Sequence, residues 1–156
     1  MKAASVKDLK KELQQRSAFD LVALCLRLSK FKKENKELLS YLLFEADDEN
    51  AFIHRIQEEM AEQFSSINTK SSLFIKKGVA KILRSVKTTI RYSSKKETEV
   101  ELLLYFCAQM KEIRPSIKRN TVLQNLYERQ LERIRKVLPL LHEDLQYDYT
   151  VELERL

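Results

Sequence analysis

Lysine and arginine recur every three or four residues from Lys77 to Arg91. On a wheel at 100° per residue, Lys77, Lys81, Arg84, Lys87 and Arg91 fall within an arc of about 120°, with Lys76 beside it. Val79, Ile82, Leu83, Val86 and Ile90 take the opposite face. The pattern predicts one amphipathic helix with a cationic stripe about 20 Å long at a rise of 1.5 Å per residue. Lys95 and Lys96 follow at the next corner, and Lys70 and the Thr88 hydroxyl could join the surface. Such a row is an anion-binding surface that can contact successive phosphates, and it holds backbones without reading bases. The same row can also be a solvated face, or one neutralised by Asp47, Asp48, Glu49, Glu58, Glu59 and Glu62 on the preceding helix and its start. No aromatic interleaves the stripe, so stacking on single strands is not favoured. A recognition helix of the helix-turn-helix kind is not indicated either.

Other candidate chemistry is thinner. His54 and His142 are the only histidines, and the residues three before them are Ala51 and Pro139. The Glu-x-x-His pairs of a helical di-metal site are therefore missing. His54 and Glu58 could give two ligands, but nothing specifies a third, so no metal is expected. Glu97 and Glu101 stand four apart, and Glu99 lies near the apolar face of the same helix. A half-buried glutamate can serve as acid or base. Here the three also suit the positive end of a helix, and no partner base, nucleophile or oxyanion donor accompanies them. The chain has no His-Glu-x-x-His, Cys-x-x-Cys, Walker or Gly-x-Ser-x-Gly pattern, and Gly78 is the only glycine. No cofactor and no enzymatic activity are expected.

The elements that must carry these residues are helices. One Gly and two Pro in 156 residues exclude turn-rich sandwiches and barrels. Apolar residues recur at i, i+3, i+4 and i+7 almost throughout. They predict helices over about 5–15, 17–31, 33–45, 49–67, 71–92, 95–114 and 121–142. Ser94 to Glu97 and Thr121 to Gln124 have capping-box spacing, and Ser5 with Asp8 and Ser17 with Asp20 are acidic variants. Pro115 should end the sixth helix, and Pro139 should kink the seventh or start a short extra one. The expected fold is all-α, a single compact multi-helix bundle or irregular α–α array of about seven helices over 1–146. Leu145, Tyr147, Tyr149, Val151 and Leu153 alternate with polar residues, which predicts an extended or disordered tail over 147–156.

Charge is unevenly spread along this array. Residues 37–62 carry one basic and eight acidic groups, and residues 63–96 carry nine basic groups and no carboxylate. Residues 1–36 carry ten basic and four acidic groups. No apolar run reaches the length of a membrane span. Cys25 and Cys107 each sit among apolar residues at helical spacing, which predicts two buried thiols in a reducing cytoplasm. The stripe of Leu123, Leu126, Tyr127, Leu131, Ile134 and Leu138 reads as core. The sequence therefore points to a non-enzymatic cytoplasmic interaction module. Its partner, a protein, would meet Lys77, Lys81, Arg84, Lys87, Arg91, Lys95 and Lys96. The alternative is sequence-nonspecific nucleic-acid binding through the same stripe.

Overall fold

Short polar side chains open most of the helices in the computed structural model, which describes residues 1–156. Ser5 accepts from the Asp8 amide at 3.2 Å and starts α1, Val6–Gln14. Ser17 accepts from the Asp20 amide at 3.1 Å and starts α2, Ala18–Phe31. One extended residue, Lys32, separates α2 from α3, Lys33–Ser40. A π-helical turn then runs over Tyr41–Glu45. Asp48 accepts from the Ala51 amide at 3.0 Å and caps α4, Glu49–Ser65. Ser71 caps α5, Ser72–Ser93, and is followed in turn by α6, Lys96–Glu112, and α7, Thr121–Val137. A 3-10 turn precedes α7 at Ile117–Arg119, and another, holding Pro139, follows it at Leu138–Leu140. The last helix is α8, Glu143–Glu154, and there is no strand. The all-α class expected from the sequence holds.

Three local expectations are corrected. Ser94 is not an N-cap. Helix α5 runs through Ser93, and Ser94 ends it in the left-handed region at φ 58°, its amide donating to Ile90 O at 2.9 Å. Asn120, not Thr121, caps α7, because its Oδ1 reaches both the Val122 and Leu123 amides at 3.1 and 3.2 Å. The expected extended tail is helix α8. Alternation over 145–153 conceals a helical stripe: Leu145, Tyr149 and Leu153 recur every four residues and pack on the core, while Tyr147 is exposed. An all-helical fold offers no strand partner. Glu143 and Asp144 suit the positive end of a helix, and His142 Nδ1 accepts from the Asp144 amide at 3.4 Å.

The chain divides into two compact units, Met1–Leu43 and Phe44–Leu156, where the sequence reading has one domain over 1–146. No proline, glycine or polar linker marks the division, because it falls inside the helical turn Tyr41–Glu45. The first unit holds α1, α2 and α3. The Asn35 amide group donates to Leu28 O at 2.9 Å and ties the start of α3 to the end of α2. None of these three helices carries a buried residue.

The second unit is built around α6. Val100, Leu102, Phe106, Cys107 and Met110 on that helix are fully enclosed. Around it lie Ile53 and Met60 of α4, Val79, Ile82 and Val86 of α5, Leu131 and Ile134 of α7, and Tyr149 of α8. Phe64 and Phe106 pack ring to ring at 5.5 Å with their planes tilted by 55°. Leu131 is buried and Leu126 half-buried, so the α7 stripe is core as expected. No helix is long and apolar enough to cross a membrane.

Candidate anion-binding face

Helix α5 turns Ile75, Val79, Ile82, Leu83 and Val86 into the core. The residues between them must then face out, and Lys77, Lys81, Arg84, Lys87 and Arg91 are all exposed. Two contacts fix how α5 lies. Gly78 is its one glycine, and a Cβ there would stand 3.0 Å from Ile67 Cγ1, so the absent side chain lets the segment after α4 approach closely. At the other end, the Glu49 carboxylate gathers the α5–α6 corner. It accepts from Ser93 Oγ, from Thr98 Oγ1 at 2.5 Å and from Lys95 Nζ at 2.8 Å. The Lys95 amide adds a bond to Ser93 Oγ at 3.3 Å.

The seven cations named from the sequence therefore fall into two sets. Lys95 is held by Glu49, and Lys96 lies 3.9 Å from Glu99. Those two brace the start of α6. Lys77, Lys81, Arg84, Lys87 and Arg91 have no ion pair and no side-chain hydrogen bond. Much of the acidic stretch before them is engaged elsewhere. Arg55 takes Glu45 and Glu59, both at 2.8 Å, His54 takes Glu58 at 3.4 Å, and Asp48 serves as a cap. Apart from Glu49 with Lys95, no ion pair joins the acidic stretch to the basic one, so the stripe keeps its charge. Thr88 adds nothing to the face, since its hydroxyl donates back to Arg84 O at 3.0 Å.

Sequence reasoning missed the head of this face. Leu73 and Phe74 are 57% and 46% exposed in the first turn of α5. Leu73 lies four residues before Lys77 and so shares its arc, a signal available from the wheel. Ser72 in the same turn accepts from Asn120 Nδ2 at 2.6 Å, which ties the start of α7 to the start of α5. The result is an apolar cap on a cationic row.

The other candidates resolve into structure. Glu99 is buried and paired with Arg133 Nε at 2.5 Å, 34 positions away in sequence. Glu101 accepts from Tyr149 Oη at 2.5 Å, and Glu97 lies 3.4 Å from the same hydroxyl. Burial, partly opposed by that bond from Tyr149, pushes the Glu101 carboxyl above its ordinary value. Burial and the adjacent glutamates push the Tyr149 hydroxyl up strongly. Glu101 and Tyr149 help line an open groove of about 410 Å³ with Gln57, Tyr105, Glu152 and Arg155. Neither histidine faces these glutamates: His54 is paired with Glu58 and His142 caps α8. No three His, Cys, Asp or Glu side chains converge as metal ligands. Cys107 is buried, and desolvation pushes its thiol up to about 12. Cys25, expected to be buried, is exposed on α2, because the apolar residues around it in sequence enclose no core.

The chain matches no protein-family model, no curated protein and no solved structure.

Proposed function

We propose that the protein is a non-enzymatic interaction module that docks an acidic partner protein on the outer face of α5. The observation that carries this reading is five exposed cations in a row with no counter-charge of their own. Leu73 and Phe74 favour a protein partner over a bare polyanion, because an apolar patch beside charge gives a protein something to bury. The two thiols are unpaired and suit a reducing cytoplasm. The second reading is sequence-nonspecific binding of duplex nucleic acid, favoured by the same unneutralised row.

The test uses the full chain, a labelled acidic peptide rich in Glu and Leu, and a labelled DNA duplex, each at two salt concentrations. The acidic peptide should bind the natural chain and not the K77E/K81E/R84E variant, whose helical content is checked by circular dichroism. A double change of Leu73 and Phe74 to Ala should weaken peptide binding. Duplex binding that ignores that change and falls with a log–log salt slope of roughly −4 to −5, for five phosphates neutralised, would replace the protein reading with the nucleic-acid one. No binding of either probe at low salt would sink both.

A further inference from the structure

Helix α2 is the apolar element of this chain that no core accounts for. Its side chains Phe19, Val22, Leu24, Leu26, Leu28 and Phe31 are each between 41% and 84% exposed. At 100° per residue they form two flanks on either side of the row Leu21, Cys25 and Ser29, an apolar arc of about 240°. A helix apolar over most of its circumference belongs in an interior. The rest of the Met1–Leu43 unit does not supply one. On α1, Val6, Leu9 and Leu13 line an open apolar groove of about 510 Å³ with Leu21. Among all the residues of the unit only Tyr41 is buried. Helical units of this size are marginal on their own and usually gain a core by association.

We infer that the unit completes its core by pairing with a second copy of this chain, α2 against α2, antiparallel, on a two-fold axis near Cys25. Three observations select a second copy over a foreign partner. The first is symmetry. Cys25 sits at the middle of α2, with Leu24 and Leu26 one residue either side of it, Val22 and Leu28 three, and Phe19 and Phe31 six. A two-fold crossing there sets apolar residues of the two copies at matching levels, and Asp20 of one level with Lys30 of the other. An isologous contact needs such a self-complementary patch. The second is area. Twelve large apolar side chains of this unit besides Met1 are exposed by more than a third. Six of them lie on α2 and the others on α1, α3 and the turn after it. Together the twelve offer on the order of 1,000 Å², against about 800 Å² per partner in a standard stable interface. The third is charge. The unit carries ten basic and five acidic residues, yet the stretch from Leu21 to Leu28 holds only Arg27. The excess charge lies outside the middle of the proposed contact, where salt can screen it.

The experiment is the solution mass of the full chain at micromolar concentration in low and high salt, by light scattering and sedimentation. The expected mass is twice 18.5 kDa, with the dimer tightened by salt as like charges are screened. The V22K/L26K variant should run as a monomer. Because it could lose helix as well as contact, a second measurement leaves the apolar side chains untouched. A short bismaleimide should bridge two natural chains through Cys25, Cys107 being buried, and should fail on C25S, which still has the dimer mass. A monomer mass at both salts overturns the inference and leaves the face to a foreign helix. A dimer unaffected by V22K/L26K, weakened by salt or unbridged at Cys25 overturns the α2 geometry.

Discussion

Tyr149→Phe removes one oxygen from the α6–α8 contact, and its cost should depend on pH. The ring is buried, and its hydroxyl donates to Glu101 at 2.5 Å. Phenylalanine keeps the ring packing and deletes the donor. A hydrogen bond to an ionised carboxylate contributes about 1.5–3 kcal/mol, and one to a neutral carboxyl about 1 kcal/mol. Glu101 is only half-buried, so screening by water takes the charged case to about 1–2 kcal/mol. Burial already holds the Glu101 carboxyl above its ordinary value, which sets the sign. Between the ordinary and the raised value the folded chain binds more protons than the unfolded one. Stability therefore falls as pH rises through that window. Deleting the Tyr149 donor removes the influence that lowers the carboxyl, widens the window and deepens the fall. Urea unfolding of the natural chain and Y149F, at pH 7 and at a pH below the ordinary glutamate range, reads this directly. The loss should be larger at pH 7. Equal losses at both pH values, or a larger loss in acid, would mean that Glu101 is not the acceptor that matters.

Four further outcomes are expected. Arg133→Met leaves the buried Glu99 with only Lys96 at 3.9 Å and should destabilise by about 1–3 kcal/mol, below the full cost of breaking a buried pair because Arg133 is half-exposed. The double variant E99M/R133M should recover part of that loss in denaturant titrations. Asp48→Ala removes the α4 cap and should cost about 1 kcal/mol, read as a lower denaturation midpoint. Cys107 should resist Ellman's reagent at pH 8 until denaturant opens the second unit, since its thiol is enclosed and held near 12. Phe106→Ala should cost about 3–5 kcal/mol, the largest loss of the set, because the ring is wholly enclosed and packed against Phe64.

The parts of this structure legible in the sequence are those set by near neighbours. Apolar spacing located α1 to α7, Ser5 and Ser17 located two caps, and the α5 wheel separated core from stripe. Two capping boxes failed because adjacent residues competed. Ser94 reached the left-handed region that ends α5, and Asn120 took the Val122 and Leu123 amides. Helix α8 was hidden because Leu145, Tyr149 and Leu153 fit both a period of two and a spacing of four. Whether a strand partner exists is a property of the whole fold. The same limit applied to the stripe. Its cations were visible in order, but whether Glu58 or Glu59 would neutralise them depended on where Arg55 and His54 pointed. Glu99 and Arg133 lie 34 positions apart and could not be matched before the helices were placed. The exposure of Cys25 is not legible locally, because an apolar neighbourhood in sequence is not itself an interior.

The unpaired row on α5 also makes the protein a thermodynamic reporter of whatever it binds. Lys77 with Lys81 and Lys87 with Arg91 are like charges one turn apart, each pair opposing its own helix by a few tenths of a kcal/mol. The row thus carries a small repulsion that a polyanion docked on it would discharge. Any ligand that prefers the folded chain also raises its melting point with concentration. Relief of repulsion and mass action then act in the same direction, so the melting point rises most for the anion that fits the row. A screen that reads only melting temperature, run on the natural chain beside K77E/K81E/R84E, would rank candidate ligands without a label or an assay for activity.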